Sequence, residues 1–240
     1  MGDKTLKAVV GRKKFNYVLA SHVIEHVPDM ISWLKDIADV LRPEGILSLV
    51  IPDKRYTFDI IRSETRTSDI VGAYIDNLGR SSTAMIYDFA REYRKNVNPS
   101  EVVSNLLTDA SKLKRRYTLM ETMKMVETNA SRKEYVDCHC HVFTPYSFFE
   151  VIKELIRLNL LDYEVVSYHH TLSNGIEFYV SFKKSNKSKP QKLQTIPRIN
   201  SPVTTQELNL QAQHLEFDNL ILREEIKKLL APSHGVSPSP

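Results

Sequence analysis

Residues 15–53 read FNYVLASHVIEHVPDMISWLKDIADVLRPEGILSLVIPD, and this stretch decides the fold. Apolar runs at 15–20 and 46–51 are typical of short buried strands, and between them residues 30–41 carry apolar side chains at helical spacing. The segment RPEG at 42–45 stops that helix. The order strand, helix, strand with short connections predicts a βαβ unit in a parallel sheet.

The rest of the domain is predicted in two parts. Residues 54–135 are mixed and charged and form a helical insertion, with helices expected near 68–74, 83–94, 99–111 and 117–127. Thr144 and Pro145 then provide an N-cap and a first helical residue, and the alternating runs 163–168 and 176–182 predict an antiparallel hairpin at the sheet edge. We therefore predict an α/β fold with a partial Rossmann-like sheet over residues 1–183.

Residues 184–204 have the composition of a flexible basic linker, rich in Lys, Ser, Asn and Pro. Six Lys and Arg residues and no acid occur between residues 183 and 200, whereas the whole chain has a net charge of +4. The basic character of the chain is thus a property of this segment. We interpret it as a solvated spacer, and a tether to nucleic acid or acidic lipid is the alternative.

Leucines recur every seven residues in the tail, which predicts a coiled-coil helix over 205–231 followed by a disordered end at 232–240. The four leucines of this seam are Leu208, Leu215, Leu222 and Leu229. Asn219 falls on the adjacent core position, where a buried Asn favours a parallel two-stranded state. The alternative is a short amphipathic helix that folds back on the domain.

Composition excludes several classes of protein. With 240 residues, 42% hydrophobic and 26% charged, the chain can bury the core of one domain and is not collagen-like, fully disordered or a disulfide scaffold. Its apolar runs are shorter than the ~18–20 residues that span a bilayer, and the start lacks the apolar core of a secretion signal. We predict a cytoplasmic protein. The two cysteines, Cys138 and Cys140, would lie about 7 Å apart along a strand, which is too far for an easy disulfide.

Residues 15–53 resemble the middle of class I S-adenosylmethionine-dependent methyltransferases, in the broad group related to type 11. In that family a strand runs into a Glu-His pair, and a helix, a Leu-Arg-Pro-Gly-Gly-like turn and a strand ending in Pro follow. The residues here that match are Phe15, Val18, Val23, Glu25, His26, Val27, Asp29, Leu41, Arg42, Pro43, Gly45 and Pro52. Asn16 and Glu44 depart from it. The resemblance extends to about residue 183 through the helix after Pro145 and the hairpin.

The glycine-rich turn with which this family holds its cofactor has no counterpart, because none of the seven glycines forms a Gly-x-Gly sequence. Fourteen residues precede Phe15, too few for three strands and their helices. The resemblance therefore implies the C-terminal part of a methyltransferase, whose other half is missing or supplied by a second polypeptide.

The resemblance also implies a site at the carboxyl ends of the two parallel strands. Ala20, Ser21 and His22 would border S-adenosylmethionine, and His22, Glu25 or His26 would orient a substrate hydroxyl or act as a base. The substrate, a small molecule or a saccharide, would lie against Pro52, Asp53, Arg55, Tyr56, His139 and His141. The alternative is that Glu25 and His26 merely cap the next helix and hydrogen-bond the loop.

Two metal patterns compete with this interpretation, which itself assigns no metal. The sequence HVIEH at 22–26 matches the H-x-x-E-H pattern of zinc peptidases, or a divalent ion could be held by His22, Glu25 and His26 inside a methyltransferase site. The sequence DCHCH at 137–141 is similar to the D-x-H-x-H strand of metal-dependent hydrolases. We expect instead a polar strand face near the substrate.

Two functions follow as hypotheses. The first is a methyltransferase that moves the sulfonium methyl group of S-adenosylmethionine to a small-molecule or glycan acceptor. The second is a non-catalytic remnant that acts as a dimerising or interaction module through its leucine seam.

The leucine seam gives a first testable prediction. A parallel two-stranded coiled coil makes the full chain a dimer, because leucines and Asn219 of two copies would pack against each other. Sedimentation at high micromolar concentration should show that dimer. A monomer under those conditions would contradict it.

Overall fold

The computed structural model describes residues 5–103, 113–132 and 135–200. It contains four strands: β1 (Phe15–Ser21), β2 (Leu41–Pro52), β3 (Tyr163–His169) and β4 (Glu177–Lys184). Eight helices lie in the described ranges: α1 (Leu6–Val10), α2 (Met30–Val40), α3 (Thr67–Ile75), α4 (Thr83–Glu92), α5 (Pro99–Val103), α6 (Leu119–Arg132), α7 (Pro145–Arg157) and α8 (Lys189–Gln194).

The strands form one mixed sheet in the order β1-β2-β4-β3. β1 pairs with β2 in parallel, as the βαβ prediction requires, and β3 and β4 form the predicted antiparallel hairpin. The hairpin differs from the prediction in one respect. β4 also pairs with β2 and so lies inside the sheet, and β3 alone forms the edge.

The core fills the space between one face of the sheet and helices α2 and α7. Alternation along the strands turns every second side chain of β2 and β4 toward these helices, because side chains of a strand point to opposite faces in turn. The paired inward residues are Leu47 with Phe182, Leu49 with Val180, and Ile51 with Phe178. From α2 and α7 they meet Ile31, Leu34, Phe148, Val151, Ile152 and Leu155.

Polar side chains cap the N-termini of both core helices, α2 and α7. Asp29 accepts the backbone N–H of Ser32 at the start of α2, at 2.9 Å. Thr144 accepts the N–H of Ser147 at 3.2 Å at the start of α7, and Pro145 is its first residue, as predicted. These caps satisfy backbone groups that the first helical turn leaves without partners.

The turn after α2 is tighter than the sequence indicated. Strand pairing begins at Leu41, opposite Phe15, and resumes at Ile46 opposite Tyr17, so residues 42–45 form an irregular excursion within β2 and no separate loop. Glu44 takes a positive φ of 63°. Gly45 passes so close to the chain that a Cβ there would lie 2.9 Å from the carbonyl oxygen of Arg42.

β1 is less buried than its apolar sequence predicted. Within it only Ala20 is buried, and Tyr17 and Leu19 are 55% and 63% exposed. In the part of the chain that the structure describes, β1 forms an edge of the sheet. On the same outer face the Tyr17 hydroxyl donates to Ser48 Oγ at 2.5 Å, and Ser48 Oγ lies 2.7 Å from Ser181 Oγ. The outer face is therefore part apolar and part polar.

The insertion is helical, as predicted, with α3 to α6 close to the expected ranges. α5 is described only as far as Val103, and the remainder of the helix expected over 99–111 lies outside the described residues. The insertion has a small core of its own around Ile86 and Phe89, to which both Cys138 and Cys140 contribute as free, buried thiols.

The predicted flexible linker at 184–204 contains a helix. α8 packs against α7 and β3, and Leu193 and Ile196 join the core. Lys187 and Lys192 pair with Glu164 and Asp162 of the domain. Up to Asn200 the segment is therefore packed, because apolar residues spaced within it contact the domain. The predicted coiled coil at 205–231 and the tail at 232–240 lie outside the described residues.

No helix in the described ranges is long and apolar enough to cross a membrane.

Two leucines with opposite surroundings test this architecture. Leu34 is 1% exposed between α2 and the sheet, so we expect Leu34→Ala to lower the free energy of unfolding by about 2–5 kcal/mol. Leu19 is exposed on β1, and Leu19→Ala should change it by no more than about 0.5 kcal/mol. Urea unfolding measures both. A large loss in Leu19→Ala would show that the outer face of β1 is covered in solution.

Candidate functional site

The candidate site starts where β1 ends. His22 follows Ser21 with a positive φ of 52°, and its backbone N–H donates to Val50 of β2 at 3.0 Å. Residues Ile24–His26 then form a single 3₁₀ turn. This sharp turn places Glu25 and His26 beneath the carboxyl ends of the parallel strands, where the resemblance had located them.

A distant segment is fixed to this turn by backbone hydrogen bonds. The carbonyl oxygen of Glu25 accepts the N–H groups of Cys140 at 2.6 Å and His141 at 3.1 Å. These bonds bring His139 beside the turn. Its ring meets that of His26 edge-on, with 4.7 Å between ring centroids.

The Glu25 carboxylate is buried among histidines. Its side chain is 2% exposed, Oε1 lies 3.5 Å from Nδ1 of His22 and 3.8 Å from Nε2 of His26, and neither oxygen has a hydrogen-bond partner among the described residues. Burial raises the pKa of Glu25, and the backbone N–H of Glu25 and the neighbouring imidazoles oppose that rise. The carboxylate is thus largely withdrawn from water.

A buried ionic network holds His139 from its other side. Asp59 Oδ2 lies 2.6 Å from His139 Nδ1, and Asp59 Oδ1 accepts from Arg62 at 2.8 Å. Arg62 also donates to the carbonyl oxygen of His139 at 3.0 Å and pairs with Asp88. Burial alone would raise the pKa of Asp59, but the contacts with His139 and Arg62 outweigh it and lower that pKa.

Three side chains converge closely enough to share a metal ion. The donor atoms of Glu25, His26 and His139 all lie within 4.8 Å of one another. His22, which the sequence pattern would have included, is not in this group. The H-x-x-E-H pattern also fails as a peptidase motif, because residues 22–26 form a loop and a 3₁₀ turn where that motif needs a helix.

A cleft of about 520 Å³ opens beside this group, between the strand ends and the insertion. His22 and His139 line it from the site. Aromatic and basic residues also line the cleft, and Tyr93 stacks on Phe58 with 4.2 Å between ring centroids. Among the described residues, the charged ones that line the cleft, apart from histidine, are Arg94, Lys95 and Arg116.

The predicted substrate residues after β2 divide into two groups. Pro52 and Tyr56 line the cleft. Asp53 is fully buried, and its carboxylate accepts from Arg55 Nε at 2.9 Å and from Thr171 Oγ1 at 2.8 Å. Asp53 and Arg55 therefore hold the loop in place.

His141, predicted at the substrate, does not line this cleft. It is 1% exposed and stacks on Phe143. Burial lowers its pKa to about 4, so the ring is neutral at pH 7. Residues 135–142 form irregular chain and no strand, so the predicted alternation does not hold: Asp137 and His139 both contact His26, whereas His141 is buried against Phe143.

The three residues predicted to border the cofactor differ in their surroundings. Ser21 is exposed at the end of β1 and His22 lines the cleft, whereas the Ala20 side chain packs in the core. Ala20 can offer a ligand only its backbone.

Sequence reasoning missed the side chains that the insertion contributes. Asp59 and Phe58 contact His139, and Tyr93 stacks on Phe58, yet all three belong to a charged region without a recognisable motif. The sequence carries no local signal for them, because their positions are set by contacts between residues about 80 positions apart.

Comparison with known families agrees with the resemblance. Residues 4–95 match the model of a family described as a methyltransferase domain. This segment, which includes β1, α2 and β2, is therefore similar to methyltransferase domains. No curated protein and no solved structure matches the chain significantly.

The Asp59 network predicts a large loss of stability on its removal. Asp59→Ala leaves the 2% exposed Arg62 without a buried counter-charge, so we expect a loss of about 3–5 kcal/mol in the free energy of unfolding. Urea unfolding at pH 7.5 measures it. As a control, Glu150→Ala breaks a partly exposed pair with Lys153 on α7 and should cost less than about 1 kcal/mol. Equal losses would contradict the role of the network.

Proposed function

We propose that the chain is an S-adenosylmethionine-dependent methyltransferase that modifies a small molecule or a saccharide. The observation that carries the proposal is the position of the cleft. It opens at the carboxyl ends of β1 and β2, within the segment that matches the methyltransferase family, and ligands bind at such ends in open α/β sheets.

In this proposal His22 accepts the proton. S-adenosylmethionine, when bound, would supply the methyl group, and the acceptor hydroxyl would pass its proton to the His22 imidazole. Glu25 and Glu177 face the two ring nitrogens of His22 at 3.5 and 3.7 Å and would stabilise the imidazolium that forms. Positioning supplies most of the remaining rate.

The charge of the cleft favours an anionic acceptor. Lys95 and Arg116 line the cleft, and among the described residues no Asp or Glu lines it. Tyr56 and Tyr93 add aromatic surface against which a sugar ring could pack. A phosphorylated or carboxylated saccharide combines both properties, because it presents negative charge and an apolar ring face.

The open edge of β1 favours a second candidate, in which the chain is an interaction module. Unpaired strand edges and exposed apolar side chains are surfaces on which other chains pair. Tyr17 and Leu19 present such a surface. A partner polypeptide or a second copy that added strands there could either complete the cofactor site or simply assemble with a remnant that no longer binds cofactor.

Calorimetric titration of the 240-residue chain with S-adenosylmethionine and S-adenosylhomocysteine tests the first proposal. We expect a micromolar Kd, about −8 kcal/mol. His22→Ala should weaken binding about tenfold, because its ring borders the cofactor and the cleft.

Glu154→Gln, on the exposed side of α7, is the matched control and should bind like the parent chain. If neither ligand binds, the isolated chain lacks a cofactor site, and the interaction module or a partner-completed enzyme replaces the proposal. Binding that is equal in His22→Ala would remove His22 from the site.

A further inference from the structure

The buried carboxylate of Glu25 is a candidate ligand for a cation. An ionisable group withdrawn from water is normally paired, hydrogen-bonded or bound to a metal, since desolvation without compensation is unfavourable. Both Glu25 oxygens are buried and neither accepts a hydrogen bond from a described residue. Imidazoles, which can share an ion with it, surround the carboxylate.

Two of the neighbouring histidines, His26 and His139, each have a carboxylate beside one ring nitrogen. His139 has its Nδ1 2.6 Å from Asp59, and His26 has its Nδ1 2.8 Å from Asp137. A carboxylate on one ring nitrogen fixes the ring and leaves Nε2 as the donor for an ion, an arrangement that accompanies most metal-binding histidines.

We propose that Glu25, His26 and His139 bind a divalent transition-metal ion of the zinc type. Their donor atoms lie within 4.8 Å of one another. Donors bonded to one ion at about 2.0–2.2 Å in tetrahedral geometry are about 3.3–3.6 Å apart, so the side chains need to approach one another by about 1.5 Å at most.

The donor set selects the class of ion. Two imidazoles and one carboxylate suit Zn²⁺, Mn²⁺, Fe²⁺ or Co²⁺, whereas Mg²⁺ and Ca²⁺ prefer sites built from oxygen. Cys138 and Cys140 are close in sequence, but they point into the core of the insertion with Ile86 and Phe89. The thiols are therefore not part of the proposed site.

The site is open to an outside ligand. Three protein ligands leave at least one position free, as in catalytic zinc sites. His139 also lines the cleft, so a water or an oxygen of a molecule bound there could take that position. Metal binding needs neither the cofactor nor methyl transfer, and it therefore stands independently of the proposed function.

Titration of the full chain with Zn²⁺ and Co²⁺, after removal of metal with a chelator and without S-adenosylmethionine, tests the proposal. We expect one ion per chain with a Kd in the micromolar range or tighter. Co²⁺ should give visible bands of nitrogen and oxygen coordination, and Mg²⁺ should bind at least 100-fold more weakly than Zn²⁺.

Variants identify the ligands. Glu25→Gln keeps the shape of the side chain and removes its charge, and we expect Zn²⁺ affinity to fall at least 100-fold while the metal-free chain stays folded. Asp137→Asn removes the exposed carboxylate behind His26 and should weaken binding about tenfold or more. Glu154→Gln on α7 is the matched control and should leave the affinity unchanged.

Three results would overturn the proposal: no binding of Zn²⁺ or Co²⁺, equal affinity in Glu25→Gln and the parent chain, or an intense near-ultraviolet thiolate band that shows cysteine ligands. His22→Ala distinguishes the proposed ligands, Glu25, His26 and His139, from the set that the sequence pattern suggests, which includes His22. The Zn²⁺ affinity of this variant should equal that of the parent chain. Metal binding without S-adenosylmethionine binding would support this site and reject the proposed function, and the reverse result would do the opposite.

Discussion

The candidate site depends on two backbone hydrogen bonds to one carbonyl oxygen, that of Glu25. The turn after β1 is set by local sequence, but His139 lies more than 110 residues further along the chain. The N–H groups of Cys140 and His141 attach that segment to the turn. These bonds bring the backbone of residue 139 beside the turn, and the orientation of its ring is set by other contacts. The cleft, the ionic network and the metal group all follow from this attachment.

A second constraint on the position of His139 comes from the insertion. Asp59 and Arg62 are nearly fully buried, and each contacts His139, one through the ring and the other through the carbonyl oxygen. Buried ion pairs contribute little net stability, yet they tolerate few alternative geometries. The network therefore fixes the orientation of His139 more than it stabilises the fold. This orientation is what lets one ring serve both the cleft and the group around Glu25.

The sheet has two unlike faces, and the difference matters for function. One face is covered by α2 and α7 and forms the core, and the other carries exposed Tyr17 and Leu19 beside a line of hydroxyl groups. A parallel strand at an open edge is uncommon in a stable α/β domain, because both faces and edges of parallel sheets are normally covered. The methyltransferase proposal and the interaction proposal both use this edge, and they differ in whether its partner brings a cofactor site.

Local sequence determined the βαβ unit, the capped helix after Thr144, the hairpin and the helical insertion, because periodicity, caps and turn residues act over a few positions. It also located His22, Glu25 and His26 at the strand end. Tertiary structure alone decided that β1 is an exposed edge, that residues around Leu193 pack on the domain, that His141 is buried away from the cleft, and that His139 and Asp59 complete the group around Glu25. These features depend on contacts between residues far apart in the chain, and no local pattern in a single sequence indicates such contacts.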